Sequence, residues 1–233
     1  MRIVDFGMRD YGEVLNFQQN IFETLVDASK GGEERKEYIL LGEHPPVITL
    51  GRRANKSNIL LSEYILNQNG IKIYHIGRGG DVTYHCPGQL IVYPIIDLSL
   101  YHLGVKDYVY LLEESVIRLI SKYGVKGERI EGASGVWIGK GTNNERKICA
   151  VGIKCSRFCS MHGIALNVNA DLSGFSMIHP CGFQNKGVTS IAKEINAKEI
   201  NAKEIDMKEI KREFLDIFLS LILSFKEVFH FPK

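Results

Sequence analysis

The chain has 233 residues, 45% of them hydrophobic and 24% charged, with a formal net charge of +2. Such a length and balance suit one large domain, residues 1–233, and exclude a dedicated nucleic-acid surface. Asp5 interrupts any secretion signal at Met1–Asp5, no apolar run is long enough to span a bilayer, and the cysteines at 86, 149, 155, 159 and 181 lack the pairing of a secreted scaffold. The expected setting is the reducing cytoplasm, with no nucleic-acid or membrane partner.

In chain order, Arg2 to Phe6 reads as a first strand. Asp10 and Glu13 form a capping box before a helix over 11–28, with Leu15, Phe17, Ile21, Phe22 and Leu25 at helical spacing. Strands are expected at 37–42 and 47–51, on either side of Pro45-Pro46, which forbid continuous pairing. A short helix over 63–69 follows. Then come two apolar runs, Ile71–Ile76 and Leu90–Ile96, which read as strands joined by the Gly/Pro-rich loop 77–90. Apolar residues at 109, 112, 116, 119 and 120 place an amphipathic helix over 105–123. Three β-type runs, 135–139, 148–154 and 162–168, lead to a turn at 172–178.

The segment from Ala192 to Lys211 is a repeat, AKEIN, AKEIN, AKEID, MKEIK. A period of five turns successive isoleucines about 140° around a helix, so 195, 200, 205 and 210 cannot share one stripe. A mostly solvated helix is expected, with 192–206 an insertion that has no catalytic role. From Ile210 the spacing 210, 214, 217, 218, 221, 225, 228 reads as a docked C-terminal helix. Mixed strands with segregated helices make the fold class α+β.

The loop 77–90 holds Arg78, Asp81, Thr83, Tyr84, His85 and Gln89, more polar chemistry than a connector requires. It reads either as a long turn that caps itself or as a loop that closes over a ligand. There is no phosphate-binding glycine motif, no HExxH and no CxxC. A metal site drawn from Cys149, Cys155, Cys159, His162, His179 and Cys181 is disfavoured, because positions four apart in a strand chelate poorly. Pro180-Cys181-Gly182 suits a structural turn cysteine or a nucleophile. A nucleophilic thiol needs a cation to ionise it, and Lys147 is the candidate; at about 4 Å it would contribute about 4 kcal/mol at an effective dielectric of about 20.

Six segments together carry a specific likeness: EHPPVITLGR (43–52), RGGDVTYHCPGQLIVYPIIDL (78–98), GVWIGK (135–140), KICAVGIK (147–154), MHGIALNVNADLSGFSMIHPCG (161–182) and GVTSI (187–191). In this order they resemble the bacterial octanoyltransferases, the lipoyl(octanoyl) transferases of the lipoate-protein ligase B family. The resemblance implies a biotin/lipoate protein ligase-like fold of mixed β-sheets with helices packed on them. It also implies octanoyl transfer from acyl carrier protein to a lysine of a lipoyl domain, in 2-oxoacid dehydrogenases or the glycine cleavage H protein, without cofactor or metal. The family's acyl-thioester cysteine falls on Cys181 and its activating lysine on Lys147. Its substrate-binding segments fall on Arg78, Gly79, Gly80, Asp81, Val82, Thr83, Tyr84 and His85, on Ala150, Val151 and Gly152, and on Gly163, Ile164 and Ala165. Cys86 stands where the family usually has glycine. The alternatives are an ATP-dependent lipoate ligase or amidotransferase on the same fold and, from another class, a metal-stabilised binding protein.

Overall fold

The computed structural model describes residues 1–31, 34–179, 186–196 and 204–228. Strand β1 (Arg2–Met8) leads into helix α1 (Tyr11–Gly31), and the Asp10 carboxylate accepts from the Gly12 N–H at 2.8 Å to cap that helix. The buried face of α1 is Val14, Gln18, Phe22, Leu25 and Ala28. It lies slightly off the expected stripe, since Phe17 is 46% exposed.

Strands β2 (Tyr38–Glu43) and β3 (Val47–Leu50) flank the two prolines and enter different sheets. That break in pairing is what the prolines impose. After α2 (Glu63–Gln68) come β4 (Lys72–His75), β5 (Val82–His85) and β6 (Gln89–Ile95). Here the structure corrects the reading of 77–90 as a loop throughout, joining two strands: it contains β5, and β4 and β6 are not partners. Strands β4, β3 and β5 form a small sheet, β4 parallel and β5 antiparallel to β3. The short run Val-Thr-Tyr-His, hemmed by glycines and a proline, was too brief to stand out from its loop.

Helix α3 (Val105–Ser121) precedes β7 (Glu128–Ile130), β8 (Ala133–Ile138), β9 (Arg146–Ser156), β10 (Cys159–Asn167) and the two-residue β11 (Gly187–Val188). Among the described residues these join β1, β2 and β6 in one eight-stranded mixed sheet, ordered β1-β2-β6-β10-β9-β8-β7 with β11 paired to β9. The chain closes with α4 (Ile191–Asn196) and α5 (Met207–Val228).

Period-two alternation sends the large sheet's side chains to two cores. Ile39, Leu41, Leu90, Val92, Ile164 and Leu166 face α3 and α5, whereas Leu40, Ile91, Tyr93, Ile95 and Ala165 face α1. Ile210, Phe214, Phe218 and Ile222 of α5 are fully buried, each stabilising the packing by about 1.5–3 kcal/mol. A third core fills the small sheet around Ile48, Leu50, Val82, Tyr84 and Phe175.

The repeat departs from its expectation. Residues 204–206 are not helical, and Ile205 and Ile210 both enter the main core. The five-residue period forbids a shared face only on a continuous helix. Asn169 pins the non-helical connector, donating from Nδ2 to Ile205 O at 2.8 Å and accepting from its N–H at 3.2 Å. Ile200 lies outside the described residues.

Candidate active site

Lys147 sits near the start of β9, buried to 7% exposure. Its ammonium lies 4.6 Å from the Trp137 ring centre and donates to Ser134 O at 3.1 Å. Gly135, next along β8, has φ +120, and an added Cβ would fall 2.4 Å from Cys149 O, so only glycine lets β8 approach here. The Gly135 N–H donates at 2.8 Å to the Glu113 carboxylate of α3. Burial holds that carboxyl above its usual range, opposed by the Gly135 bond and the charges of Arg129 and Lys147.

Next to Lys147, a cavity of about 50 Å³, partly open to solvent, lies between the large and small sheets. Val82, Thr83 and His85 line it from β5, Ala150, Val151 and Gly152 from β9, and Gly163, Ile164 and Ala165 from β10. Arg78, Gly80 and Asp81 line it from the loop before β5. Thr83, Ala150 and Ala165 also line a smaller hollow, and Lys147 forms part of that hollow's wall. Tyr11, Tyr93 and His162 complete the cavity wall.

The wall is uncharged at its histidines. Burial, with the nearby charges of His44 and Arg78, lowers His85 to about 3, and burial with Arg78 and Lys154 does the same for His162. His85 bridges Thr49 Oγ1 and Gln89 Oε1 at 3.4 and 3.2 Å, with Tyr11 stacked 6.0 Å away. His162 has a left-handed φ of 59° that interrupts the pleat, and its ring meets Tyr93 edge-on at 6.3 Å. A side chain in that conformation costs about 1–2 kcal/mol, and such strain clusters at functional sites.

Residues 10–219 match the model of the lipoyl protein ligase A/B catalytic domain. An octanoyltransferase of Parabacteroides distasonis is 49% identical over 195 residues, covering 83% of this chain and 88% of that one. The octanoyltransferase of Flavobacterium johnsoniae is 45% identical over 201 residues, covering 84% and 87%. This chain belongs to the octanoyltransferases of that family. It is an acyltransferase. A crystal structure of lipoate-protein ligase A bound with ATP shares the fold, with TM-score 0.66 at 13% identity, covering 95% of this chain and 85% of that one. Biotin protein ligase of Aquifex aeolicus in complex with biotin and ATP does so with TM-score 0.54 at 13% identity, covering 97% and 72%. The expected biotin/lipoate ligase-like α+β fold is therefore present.

Within this octanoyltransferase framework, the expected substrate-binding residues share one cavity, which Lys147 itself does not line. Two of them are exceptions. Strand alternation turns Tyr84 away from Thr83 and His85 and onto Phe175, 5.5 Å away and edge-on. Gly79 lines a neighbouring groove, and its N–H is spent on Ile153 O at 2.8 Å, docking the loop on β9. Arg78 anchors its loop, with Nη2 donating to Thr49 O and Oγ1 at 2.8 and 2.9 Å. Gly163 is small for a reason besides the cavity, since a Cβ there would fall 2.2 Å from Val92 O of the paired strand.

Cys86 packs in the small sheet's core, with an ordinary negative φ and Sγ 3.6 Å from Asp171 O. Burial pushes its thiol up to about 12, so it is neither an activated nucleophile nor a cavity residue. Cys181, with its neighbours Pro180 and Gly182, lies outside the described residues. Cys149 is fully buried and Cys155 only partly so. Cys155 and Cys159 belong to successive strands rather than one, and no metal-holding cluster occurs among the described residues. Tyr11 and Tyr93 were missed as wall residues because each first reads as part of an element's apolar pattern, and only the tertiary fold brings them together.

Proposed function

We propose that this octanoyltransferase moves an octanoyl group from acyl carrier protein to a lysine ε-amine of lipoyl domains, through an acyl-thioester on Cys181. The acceptors are the lipoyl domains of 2-oxoacid dehydrogenases and the glycine cleavage H protein, and the step begins protein lipoylation. The odd cysteine count favours a reducing, cytoplasmic setting, and residues 1–233 act as one catalytic domain.

The observation that carries the reading is that Lys147 lines the hollow beside β11, whose walls Thr83, Ala150 and Ala165 also belong to the main cavity. The chain is pinned on both sides of the cysteine segment. His179 N–H donates to Asn58 O at 2.7 Å, and Val188 pairs with Lys147 itself. These two anchors support a Cys181 that meets Lys147.

In this account the Lys147 ammonium stabilises the Cys181 thiolate. The thiolate attacks the donor thioester carbonyl, the carrier's C–S bond breaks, and Lys147 gives its proton to the departing carrier thiolate. Exchange of one thioester for another is nearly energy-neutral, so no nucleotide is consumed. Neutral Lys147 then takes a proton from the acceptor amine as it attacks. The amide forms, the Cys181 thiolate leaves, and the resting ion pair is restored. The apolar cavity would hold the acyl chain at about 0.8 kcal/mol per buried CH₂.

The test supplies octanoyl-acyl carrier protein and a lipoyl domain, with no nucleotide, and reads octanoyl-lysine by peptide mass. Transfer from the carrier thioester supports the reading. Modification only from free octanoate with ATP would move the protein to the ligases.

A further inference from the structure

The first AKEIN unit is not an idle insertion. Its Glu194, on α4, grips Arg146 with both oxygens, at 2.7 Å from Nε and 2.6 Å from Nη2, and also accepts from the Thr189 hydroxyl. The Arg146 and Glu194 side chains are only 21% and 11% exposed. A forked Arg–carboxylate pair of this kind fixes geometry as well as charge.

Both residues that Glu194 holds adjoin Lys147. Arg146 precedes it on β9, and Thr189 follows β11 and donates its N–H to Lys147 O at 3.0 Å. By this point β10 has left β9, pairing with it only from Cys149 onward. Strand β8 flanks Lys147 on one side, and the two residues of β11 supply the other. So short a strand cannot hold its place by ladder bonds alone. Asn167 steadies it from β10, donating to Thr189 O at 2.9 Å.

We propose that Glu194 is a positioning residue for acyl transfer: through Arg146 and Thr189 it clamps β11 against Lys147 and sets where the ammonium stands. This rests on the role given to Lys147 above. The repeat is then divided, its first unit serving the site and Ile205 serving the core.

The experiment is rapid-quench acylation of Cys181 by octanoyl-acyl carrier protein, read by peptide mass, in wild type, Glu194→Gln, Thr189→Val and Lys147→Met. Glu194→Gln should acylate about tenfold more slowly at saturating donor, with half-saturation and full burst amplitude unchanged, and Thr189→Val should slow in the same way by less. The double variant Glu194→Arg/Arg146→Glu should recover most of the rate. A wild-type rate in Glu194→Gln, or a lowered amplitude at wild-type rate, overturns the positioning role while a slow Lys147→Met keeps the reading of Lys147. Unimpaired Lys147→Met, or wild type that takes no acyl group on Cys181, removes that reading and this proposal with it.

Discussion

Lys147 Nζ stands over the Trp137 ring at 4.6 Å, and Lys186 Nζ stands 5.0 Å from the same ring centre. One indole thus faces two ammonium groups, its Nε1–H held by Ala133 O at 2.8 Å. A desolvated cation over indole is worth about 1–2 kcal/mol. Trp137→Phe keeps a ring beneath the ammonium and should retain most acylation activity, losing about 1–3 kcal/mol of stability with the buried Ala133 carbonyl unpaired. Trp137→Leu removes the ring and should slow acylation about fivefold more than Trp137→Phe. Equal acylation rates in the two variants would show that the ring does not support the lysine.

How much of this site was legible in the chain depended on scale. The apolar periods of α3 and α5 read directly, because burial on one face imposes them, and the apolar run of β6 read directly because that strand is buried on both faces. The pairing of β3 with β5, and the contacts of Tyr11, Tyr93 and Glu194, did not. Each depends on segments far apart in the chain, and none leaves a local period. Arg78 illustrates the boundary. Its polar loop is conspicuous in the sequence, but the anchor of its guanidinium on Thr49 of β3 is visible only in the fold.

That anchor makes a prediction. Arg78→Met leaves the buried Thr49 carbonyl and hydroxyl without the guanidinium, at a cost of about 1–3 kcal/mol in denaturant unfolding. The loosened wall should also raise the donor concentration at half-saturation. Unchanged stability would show that the anchor contributes nothing.

Acyl selection should follow cavity volume. Ala150 lines both the main cavity and the hollow at Lys147. Ala150→Leu fills the passage, so octanoyl transfer should fall while butanoyl transfer is spared. At about 0.8 kcal/mol per methylene, the octanoyl-to-butanoyl preference should drop at least about tenfold. Competition between the two carrier thioesters measures it, and an unaltered preference would place the acyl chain elsewhere.

Stability should depend on pH through buried imidazoles. Burial lowers His85 and His162 to about 3, while unfolded histidine titrates near about 6.5. Between those values the unfolded chain binds more protons, so stability rises with pH. The contribution is complete above about pH 6.5 and is lost as pH falls toward about 3, up to about 2 kcal/mol per residue by about pH 5. Melting temperatures should decline over that range, and His162→Asn, which tolerates the left-handed φ, should flatten the decline. A melting temperature as pH-dependent in that variant as in wild type would contradict the assignment.

The central claim is that Cys181 carries the acyl group with Lys147 as its cation. The most direct test is the intact mass of wild type, Cys181→Ser and Lys147→Met after incubation with octanoyl-acyl carrier protein, without nucleotide or acceptor. The account predicts one hydroxylamine-labile octanoyl adduct on wild type, discharged by a lipoyl domain. It predicts no adduct on Cys181→Ser and slow formation on Lys147→Met. The same adduct on Cys181→Ser, or none on wild type, would contradict it.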